Sequence, residues 1–296
     1  MSKFLGKREF LRLLGSAAVA APTALVASRT TAPHAPTDDH AASTYAKIMK
    51  SRTIRCGYLV YSPYIRRDPN TGELSGIFFD IMEQIGKNAG LTIRWTEEVG
   101  YENIFTALDS QRFDIFCGGL WPNATRALMG SFSSPAFYST VVAWVRADDE
   151  RIHKLDDLRK TKARIAVIDG AMEDLIARAD YADLPRVSLP TLSPFNLNFQ
   201  NIIGKKADVT FAEPSSVAEF LRSNPGTLRS LGESQPLRVF GNALVVRKSD
   251  EDTKEFLDLA MQELVYSGQM DRILARYEIT PNAFPRVALP YKEAER

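Results

Sequence analysis

The stretch of this chain with the clearest chemical meaning runs from Arg112 to Arg126. Its apolar run, Phe113 to Cys117, ends at two glycines, and Arg126 follows shortly after them. Such a run predicts a buried strand whose carboxyl end opens into a crevice, where small ligands bind in open α/β sheets. Arginine binds a carboxylate through two parallel hydrogen bonds. The segment therefore predicts a pocket for a small anionic or zwitterionic molecule, the alternative being that Arg126 is a solvated loop residue.

The composition narrows the class of protein. The chain has 296 residues, 45% of them hydrophobic, and a formal net charge of +1. No long run of one charge occurs, which argues against a nucleic-acid partner. Three histidines and two cysteines are too few and too scattered to predict a metal site, and we expect no cofactor. The length suits two medium-sized lobes or one large one.

The N-terminal residues have the order of an export signal. A basic segment contains Lys3, Lys7, Arg8 and Arg12. The apolar stretch that follows, Leu13 to Val26, is too short to span a membrane and is interrupted by Pro22. The segment Lys7 to Arg12 resembles a twin-arginine signal with lysine in place of the first arginine, so both export routes stay open. Residues 1–43 are therefore predicted to be an export signal and a flexible leader.

The same region bears on localisation. No cysteine lies near the apolar stretch, so we expect no lipid anchor. The predicted mature protein is soluble and periplasmic. Cys56 and Cys117 each precede a glycine at the end of a predicted strand. In an oxidising compartment they would pair if the strands are neighbours, although a disulfide between adjacent parallel strands is geometrically awkward. A disulfide and two buried free thiols both stay open.

Strands and helices alternate along the predicted mature chain. The first predicted elements are a strand at Thr53 to Val60, a helix at Phe78 to Ala89, a strand at Leu91 to Trp95, a helix at Glu102 to Gln111 and a strand at Phe113 to Cys117. This alternation predicts a parallel sheet covered by helices.

Two later apolar segments, Val141 to Arg146 and Phe240 to Arg247, bracket a middle block that is α/β in its own right. The block contains the predicted strands Ala163 to Ile168 and Asp208 to Ala212. We therefore predict one lobe from residues 141–241 and another from residues 44–140 plus 242–296. The chain would cross between the lobes twice, and the two crossings would act as a hinge.

The order of these elements, from about Thr53 to Tyr277, resembles the bacterial extracellular solute-binding proteins, family 3. These are type II periplasmic binding proteins of the polar amino-acid uptake class. The motifs that carry the resemblance are Gly76-Ile77-Phe78-Phe79-Asp80-Ile81, Leu108 to Ile115, Thr125-Arg126-Ala127 with Phe132 to Tyr138, and Leu155-Asp156-Asp157-Leu158 with Ala166 to Gly170. The resemblance implies an α/β, two-lobed fold, with a mostly parallel sheet covered by helices in each lobe and two hinge crossings.

The resemblance also implies a ligand site between the lobes. Two aromatic rings, Tyr61 and Tyr101, would hold the apolar part of the ligand. Arg126 would bind an α-carboxylate and Glu213 an α-ammonium group. The amides of Gly119 and of the helix start after Gly170 would add donors for an anion. The implied ligand-binding residues are Tyr61, Tyr101, Gly119, Trp121, Arg126, Ala171 and Glu213.

Phe78 and Gln111 depart from the family motifs, where an acid and a glycine are usual, and two pocket positions depart as well. Trp121 stands where the family carries a serine or threonine, and Ala171 replaces a threonine whose hydroxyl helps to bind the carboxylate. Two polar donors are therefore absent, and a large indole is added. We expect either a more apolar pocket for a ligand with a flat or apolar body, or a cleft that Trp121 fills to leave a small ligand.

The expected function is that of a periplasmic substrate-binding protein of an ABC-type uptake system. It would act as a monomer, bind an amino acid or related small carboxylate, and deliver it to an ABC permease. The alternative is an enzyme on the same fold, similar to cyclohexadienyl dehydratases, with Glu213 as the general acid. No histidine and no nucleophile–base pair lies near the pocket motifs, so we expect a protein that is not an enzyme.

Overall fold

The computed structural model describes residues 43–232 and 236–288. The predicted export signal lies outside the described residues. The helices are α1 (Thr44–Ser51), α2 (Ile77–Ala89), α3 (Ile104–Asp109), α4 (Ala124–Met129), α5 (Asp156–Lys160), α6 (Met172–Asp180), α7 (Asn196–Ile203), α8 (Pro214–Ser223), α9 (Glu251–Tyr266) and α10 (Gln269–Tyr277). Among these described helices, none has the length and apolar character needed to cross a membrane.

The strands alternate with these helices. They are β1 (Thr53–Tyr58), β2 (Arg66–Arg67), β3 (Leu74–Ser75), β4 (Thr92–Glu98), β5 (Ile115–Leu120), β6 (Gly130–Phe132), β7 (Phe137–Arg146), β8 (Ile165–Ile168), β9 (Arg186–Leu189), β10 (Val209–Ala212), β11 (Leu228–Leu231) and β12 (Arg238–Arg247). All but β2 and β3 join one mixed sheet with the order β4-β1-β5-β12-β7-β10-β8-β9, in which β6 pairs with β12 and β11 with β7.

The sheet has parallel strands at both ends and antiparallel strands in the middle. At one end β1 is parallel to β4 and β5, and at the other β8 is parallel to β9 and β10. The long strands β7 and β12 run antiparallel to each other through residues 137–141 and 238–242. The fold is therefore α/β and two-lobed. We call the part around β1, β4 and β5 lobe 1 and the part around β8, β9 and β10 lobe 2; the boundaries at residues 140/141 and 241/242 stay a prediction.

Helix α2 shows how the sequence pattern builds the core of lobe 1. Its buried residues Phe78, Ile81 and Ile85 recur every three or four positions, so they share one face of the helix. That face packs in a cluster with Ile54 of β1 and with residues of α9 and α10. Lobe 2 has its own core, in which β7, β8 and β10 pack against α6.

Near Arg126, one predicted strand end is wrong, and the alternative that Arg126 is a solvated loop residue is removed. The strand predicted to end at Cys117 continues through the two glycines to Leu120. Gly119 has φ +72°, and a Cβ there would lie 2.1 Å from the ring of Phe78, so the missing side chain makes room for α2 against the sheet. Arg126 lies not in a solvated loop but, buried, on helix α4, whose N-cap Asn123 accepts a hydrogen bond from the Arg126 backbone N–H at 2.8 Å.

The two cysteines lie on adjacent parallel strands, Cys56 on β1 and Cys117 on β5. Cys56 pairs in register with Ile115, two residues before Cys117. Both side chains are fully buried, and both are free thiols. Burial and the neighbouring Cys56 raise the pKa of the Cys117 thiol. Of the two alternatives that the sequence left open, the structure contains the free thiols.

Candidate ligand-binding site

A narrow cavity lies where the two lobes meet. Its lining residues are Tyr61, Tyr64, Tyr101, Gly119, Leu120, Trp121, Arg126, Met172, Glu173, Phe195, Glu213 and Asn242. The free volume is about 30 Å³, which suits water molecules rather than an amino acid. The cavity must therefore widen before a ligand of that size enters.

The carboxyl ends of parallel strands position these side chains. Tyr61 follows β1, Trp121 follows β5 and Glu213 follows β10. Because β1 and β5 are parallel neighbours, Tyr61 and Trp121 leave the same edge of the sheet in lobe 1. Glu213 leaves the carboxyl end of β10 in lobe 2, and the cavity lies between these short segments.

Arg126 contributes a buried guanidinium group from lobe 1, with the residue only 8% exposed. Its Nη1 donates to the carbonyl oxygen of Trp121 at 2.9 Å, and its Nη2 donates to that of Gly170, in lobe 2, at 3.1 Å. No carboxylate of a described residue lies within ion-pair distance of it. Burial lowers the pKa of Arg126, because the charged group has lost its hydration. A ligand anion would supply the charge partner that the protein itself does not.

Glu213 contributes a buried carboxyl group from lobe 2. It is the N-cap residue of α8, held after β10 by Pro214 in the first turn. The side chain accepts a hydrogen bond from the Tyr61 hydroxyl, and Ser216 Oγ donates to that hydroxyl at 3.1 Å. Burial raises the pKa of Glu213 to about 7, although the hydrogen bond from Tyr61 opposes the shift. No cationic side chain among the described residues pairs with it.

Glu173, which the sequence analysis missed, is a second buried carboxyl group in the cavity wall. It lies in the first turn of α6 and is 1% exposed. Its Oε1 accepts hydrogen bonds from the backbone N–H of Ile168 and from Asn198 Nδ2, both at 2.9 Å. Burial is the main cause that raises the pKa of Glu173 to about 8, and the charge of Glu213 adds to it.

Aromatic rings close the cavity on two sides. Trp121 stacks on Phe240, with ring centroids 4.3 Å apart and planes 9° apart. Tyr61 meets Phe195 edge to face at 4.8 Å. Trp121 Nε1 also donates to Asn242 Oδ1 at 2.8 Å, so the indole is fixed in the wall. Trp121, Tyr61 and Phe195 line the cavity, and Phe240 supports Trp121 from behind.

The structure does not bring every predicted residue to the cavity. Gly119 lines it, and so does Tyr101, whose pKa burial raises together with the charges of Glu173 and Glu213. Ala171 does not line it. The Ala171 N–H donates to the carbonyl oxygen of Ile168 at 3.0 Å, and the Gly170 N–H donates to Asp174 Oδ2 at 3.1 Å. The amides at this helix start are therefore engaged within the protein.

Sequence reasoning missed the lining residues Tyr64, Leu120, Met172, Glu173, Phe195 and Asn242. Two of these residues have sequence contexts that could have indicated a site. Asn242 is a polar residue inside the apolar run of β12, and Glu173 directly follows the glycine-led turn after β8. An acid in the first turn of a helix is, however, common for electrostatic reasons alone, so Glu173 did not stand out.

The chain is similar to several known proteins. The probable histidine-binding protein of Neisseria gonorrhoeae is 23% identical over 218 residues, which cover 73% of this chain and 79% of that protein. The crystal structure of a solute receptor for L-cysteine of Neisseria gonorrhoeae has a TM-score of 0.70 at 15% identity, covering 82% of this chain and 99% of the other.

A third similar protein is an ancestral amino-acid-binding protein described as a precursor of cyclohexadienyl dehydratase. Its crystal structure has a TM-score of 0.70 at 20% identity and covers 80% of this chain and 99% of its own. At these identities the solved structures establish the fold. The model of the family of bacterial extracellular solute-binding proteins, family 3, matches residues 54–280. Since this match covers more than half of the chain, the protein belongs to that family.

Proposed function

We propose that this protein is the substrate-binding protein of an ABC-type uptake system and binds an amino acid between its two lobes. The observation that carries the proposal is a pair of opposite charges facing one cavity. Within residues 43–232 and 236–288, the buried guanidinium group of Arg126 in lobe 1 has no carboxylate partner, and the buried carboxyl group of Glu213 in lobe 2 has no cationic partner. An amino acid brings the complementary pair, a carboxylate and an ammonium group.

The chemistry of both groups fits this ligand class. A buried charge is costly unless it is paired and hydrogen-bonded, so both groups gain when the ligand supplies a partner. The guanidinium plane accommodates both oxygens of a carboxylate. The names of similar proteins, a probable histidine-binding protein and a receptor for L-cysteine, support the same ligand class.

Binding requires the lobes to separate and close again. In the structure, the Tyr61 hydroxyl donates to Glu213 and Arg126 donates to the Gly170 carbonyl, so site groups bond each other across the lobes. A ligand would replace these contacts with stronger charge-assisted ones. It would thereby shift the equilibrium between open and closed states towards a ligand-filled closed state, and no chemical step is needed.

The first test is isothermal titration calorimetry of the purified protein with a panel of amino acids, followed by the best ligand on Arg126→Ala. Loss of one partner from a buried charge pair costs about 2–5 kcal/mol, so we expect at least about 30-fold weaker binding. Arg94→Ala is the matched control, because Arg94 is exposed on the edge strand β4. It should bind as the wild type does.

Two results would count against this function. An Arg126→Ala variant that folds by circular dichroism and binds as tightly as the wild type would remove the carboxylate assignment. A panel in which no amino acid binds would remove the amino-acid class as well.

The dehydratase alternative is not favoured. The carboxyl group of Glu213, with a pKa of about 7, suits a general acid. Yet the similar structure linked to a dehydratase is itself described as amino-acid-binding, and the family is one of solute-binding proteins. Recovery of the ligand chemically unchanged after prolonged incubation with the protein is the expected result.

The proposal includes export to the periplasm, a monomeric state and a membrane permease as partner. Membership of an extracellular solute-binding family supports export. Residues 1–43 supply a signal of the expected order, with its basic segment before an apolar stretch. Periplasmic fractionation of cells expressing the full chain, compared with a chain in which Lys7 and Arg8 are replaced by glutamine, tests the twin-arginine route.

A further inference from the structure

The acidic and basic side chains that line the cavity are unequal in number. One guanidinium group, Arg126, faces two carboxyl groups, Glu173 and Glu213. A neutral amino acid supplies one carboxylate and one ammonium group, which Arg126 and Glu213 accommodate. Glu173 is then left over as a buried acid without a counter-charge.

We propose that Glu173 determines ligand specificity by pairing with a cationic side chain, so that the ligand is an amino acid with a second positive charge. The inference rests on the proposed function and deepens it. It concerns the side-chain end of the ligand, whereas the function depends on Arg126 and Glu213.

The contacts of Glu173 support this role. Its Oε1 is held by two neutral donors, the Ile168 N–H and Asn198 Nδ2, which orient the carboxyl group without neutralising it. Within the described residues, no lysine, arginine or histidine lies within ion-pair distance of it. Among the described residues, none donates a hydrogen bond to the buried amide oxygen of Asn198, so an unused acceptor lies behind Glu173.

The next residue on α6 provides an internal contrast. Asp174 is also 1% exposed, but Arg178 pairs with it at 2.9 Å and Arg186 lies 3.8 Å from it. Asp174 is not among the residues that line the cavity, and Glu173 is. A buried acid that serves the fold is thus paired within the protein here, whereas the acid that faces the cavity is not.

The electrostatic environment of Glu173 also favours a cationic ligand group. Among the described residues, the titratable groups that share the cavity wall with Glu173 are Tyr61, Tyr64, Tyr101, Arg126 and Glu213, and Asp174 follows it on α6. Burial raises the pKa of Glu173 to about 8, so the free protein holds it largely protonated at pH 7. A cationic ligand group would favour the ionised form and expel that proton on binding.

Matched ligands give the sharpest test. L-Arginine and L-citrulline have side chains of nearly the same shape that differ in charge, and so do L-lysine and L-norleucine. Calorimetry at pH 7.5 should give wild-type affinities at least about tenfold higher for the cationic member of one of these pairs. In Glu173→Gln that preference should fall to about threefold or less, with the affinity for the neutral member retained.

The control variant is Glu102→Gln, the same substitution at an exposed residue beside Tyr101. It should keep the full preference. A second readout needs only the wild-type protein. Titration in two buffers of different ionisation enthalpy should show release of up to about one proton with the cationic ligand, and the preference should shrink as the pH falls from 8.5 to 6, because Glu173 becomes protonated.

The outcomes separate the two proposals. Neutral amino acids that bind as tightly as their cationic counterparts, and depend on Arg126, would overturn the role of Glu173 and leave the proposed function standing. A preference that survives in Glu173→Gln would do the same. If no amino acid of any charge binds, both proposals fail.

Discussion

Strand β10 has a buried carboxyl group at each end, and the pKa values of the two are shifted in opposite directions. Asp208, just before the strand, accepts hydrogen bonds from the side chains of Arg164 and Arg151, each at 2.9 Å. Glu213, just after it, accepts one from a tyrosine and has no cationic partner in the part of the chain described. Burial alone would raise the pKa of Asp208, but the two arginines outweigh it and lower that pKa to about 2. Burial raises the pKa of Glu213 to about 7.

Both residues are nearly inaccessible to solvent, so what separates them most clearly is their partners, and the stronger desolvation of Glu213 adds to its shift. Asp208 is 5% exposed and Glu213 is 2% exposed. At the amino end of β10 the protein supplies its own counter-charges, and the resulting network ties β10 to the start of β8. At the carboxyl end the protein leaves the counter-charge out, which is the arrangement expected of a ligand site. The same contrast separates Asp174 from Glu173 on α6.

Among the substitutions that test this comparison, Asp208→Ala is expected to change the free energy of unfolding most. The substitution removes the acceptor for two arginine side chains and for the Arg164 backbone N–H at 2.9 Å. Hydrogen bonds to charged groups contribute about 1.5–3 kcal/mol each, so we expect unfolding to become easier by about 3 kcal/mol. Urea denaturation at pH 7 measures the loss.

Asp183→Ala is the matched control for that variant. Asp183 pairs with Arg159 at 3.2 Å, but both side chains are more than half exposed. Its removal should leave the urea midpoint nearly unchanged. We attribute the structural role of Asp208 to its buried position. Equal losses of stability at the two sites would contradict this view.

Glu213→Gln in the ligand-free protein is expected to change the free energy of unfolding less, and to raise it rather than lower it. The folded-state pKa of Glu213 is about 7, above the ordinary 4.5, so between these pH values the folded protein binds more protons than the unfolded chain. The free energy of unfolding should therefore fall as the pH rises from about 4.5 to about 7. At pH 8 the glutamine variant should be more stable than the wild type, by on the order of 2 kcal/mol.

Thermal and urea denaturation between pH 5 and pH 8.5 test this prediction, with Glu102→Gln as the exposed control. The curve for Glu213→Gln should be flatter than that for the wild type. Parallel curves would mean that Glu213 ionises normally in the folded state. Asp208 should show the reverse behaviour, with stability lost as the pH falls from 3.8 towards 2.

The smallest effect is expected at Glu219, a carboxylate at the rim of the site. Ser62 Oγ of lobe 1 donates to it at 2.6 Å, and Arg66 pairs with it at 3.2 Å, with about a third of each charged side chain exposed. Because solvent screens such pairs, Glu219→Gln should weaken ligand binding by less than about 1 kcal/mol, or about fivefold. The difference should vanish in 1 M salt. A loss as large as that of Arg126→Ala would contradict this ranking.

Much of the fold was predictable because local patterns report it directly. Helix α2 and its end at Gly90 follow from apolar spacing and from a glycine in the left-handed conformation, with φ 63°. The pairing of β7 with β12 and the short strands β6, β9 and β11 were not predictable, since pairing partners far apart in sequence leave no local signal. The course of β5 through Gly118 and Gly119 depended on the approach of Phe78, which is a tertiary contact.

The residues of the candidate site likewise fall into those that the sequence predicted and those that it did not. Tyr61, Arg126 and Glu213 were predicted through the resemblance, because each sits at a fixed offset from a recognisable motif. Glu173 and Asn242 were not predicted, because an acid in a first helical turn and an amide within a strand have common structural explanations. Ala171 was predicted to line the cavity but does not, whereas the next residue, Met172, does. Local sequence does not indicate which of two adjacent residues faces a cavity.

By itself, the sequence determined which residues carry charge and which segments form the helices and strands that bear them, because propensity and apolar spacing are local properties. Only the tertiary structure decided which charges are paired. Asp208 and Glu213, or Asp174 and Glu173, look alike as letters in a sequence. Three-dimensional packing places arginines beside Asp208 and Asp174 and a cavity beside Glu213 and Glu173. The pKa of Asp208 is lowered to about 2 by its arginines, whereas burial raises the pKa of Glu213 to about 7.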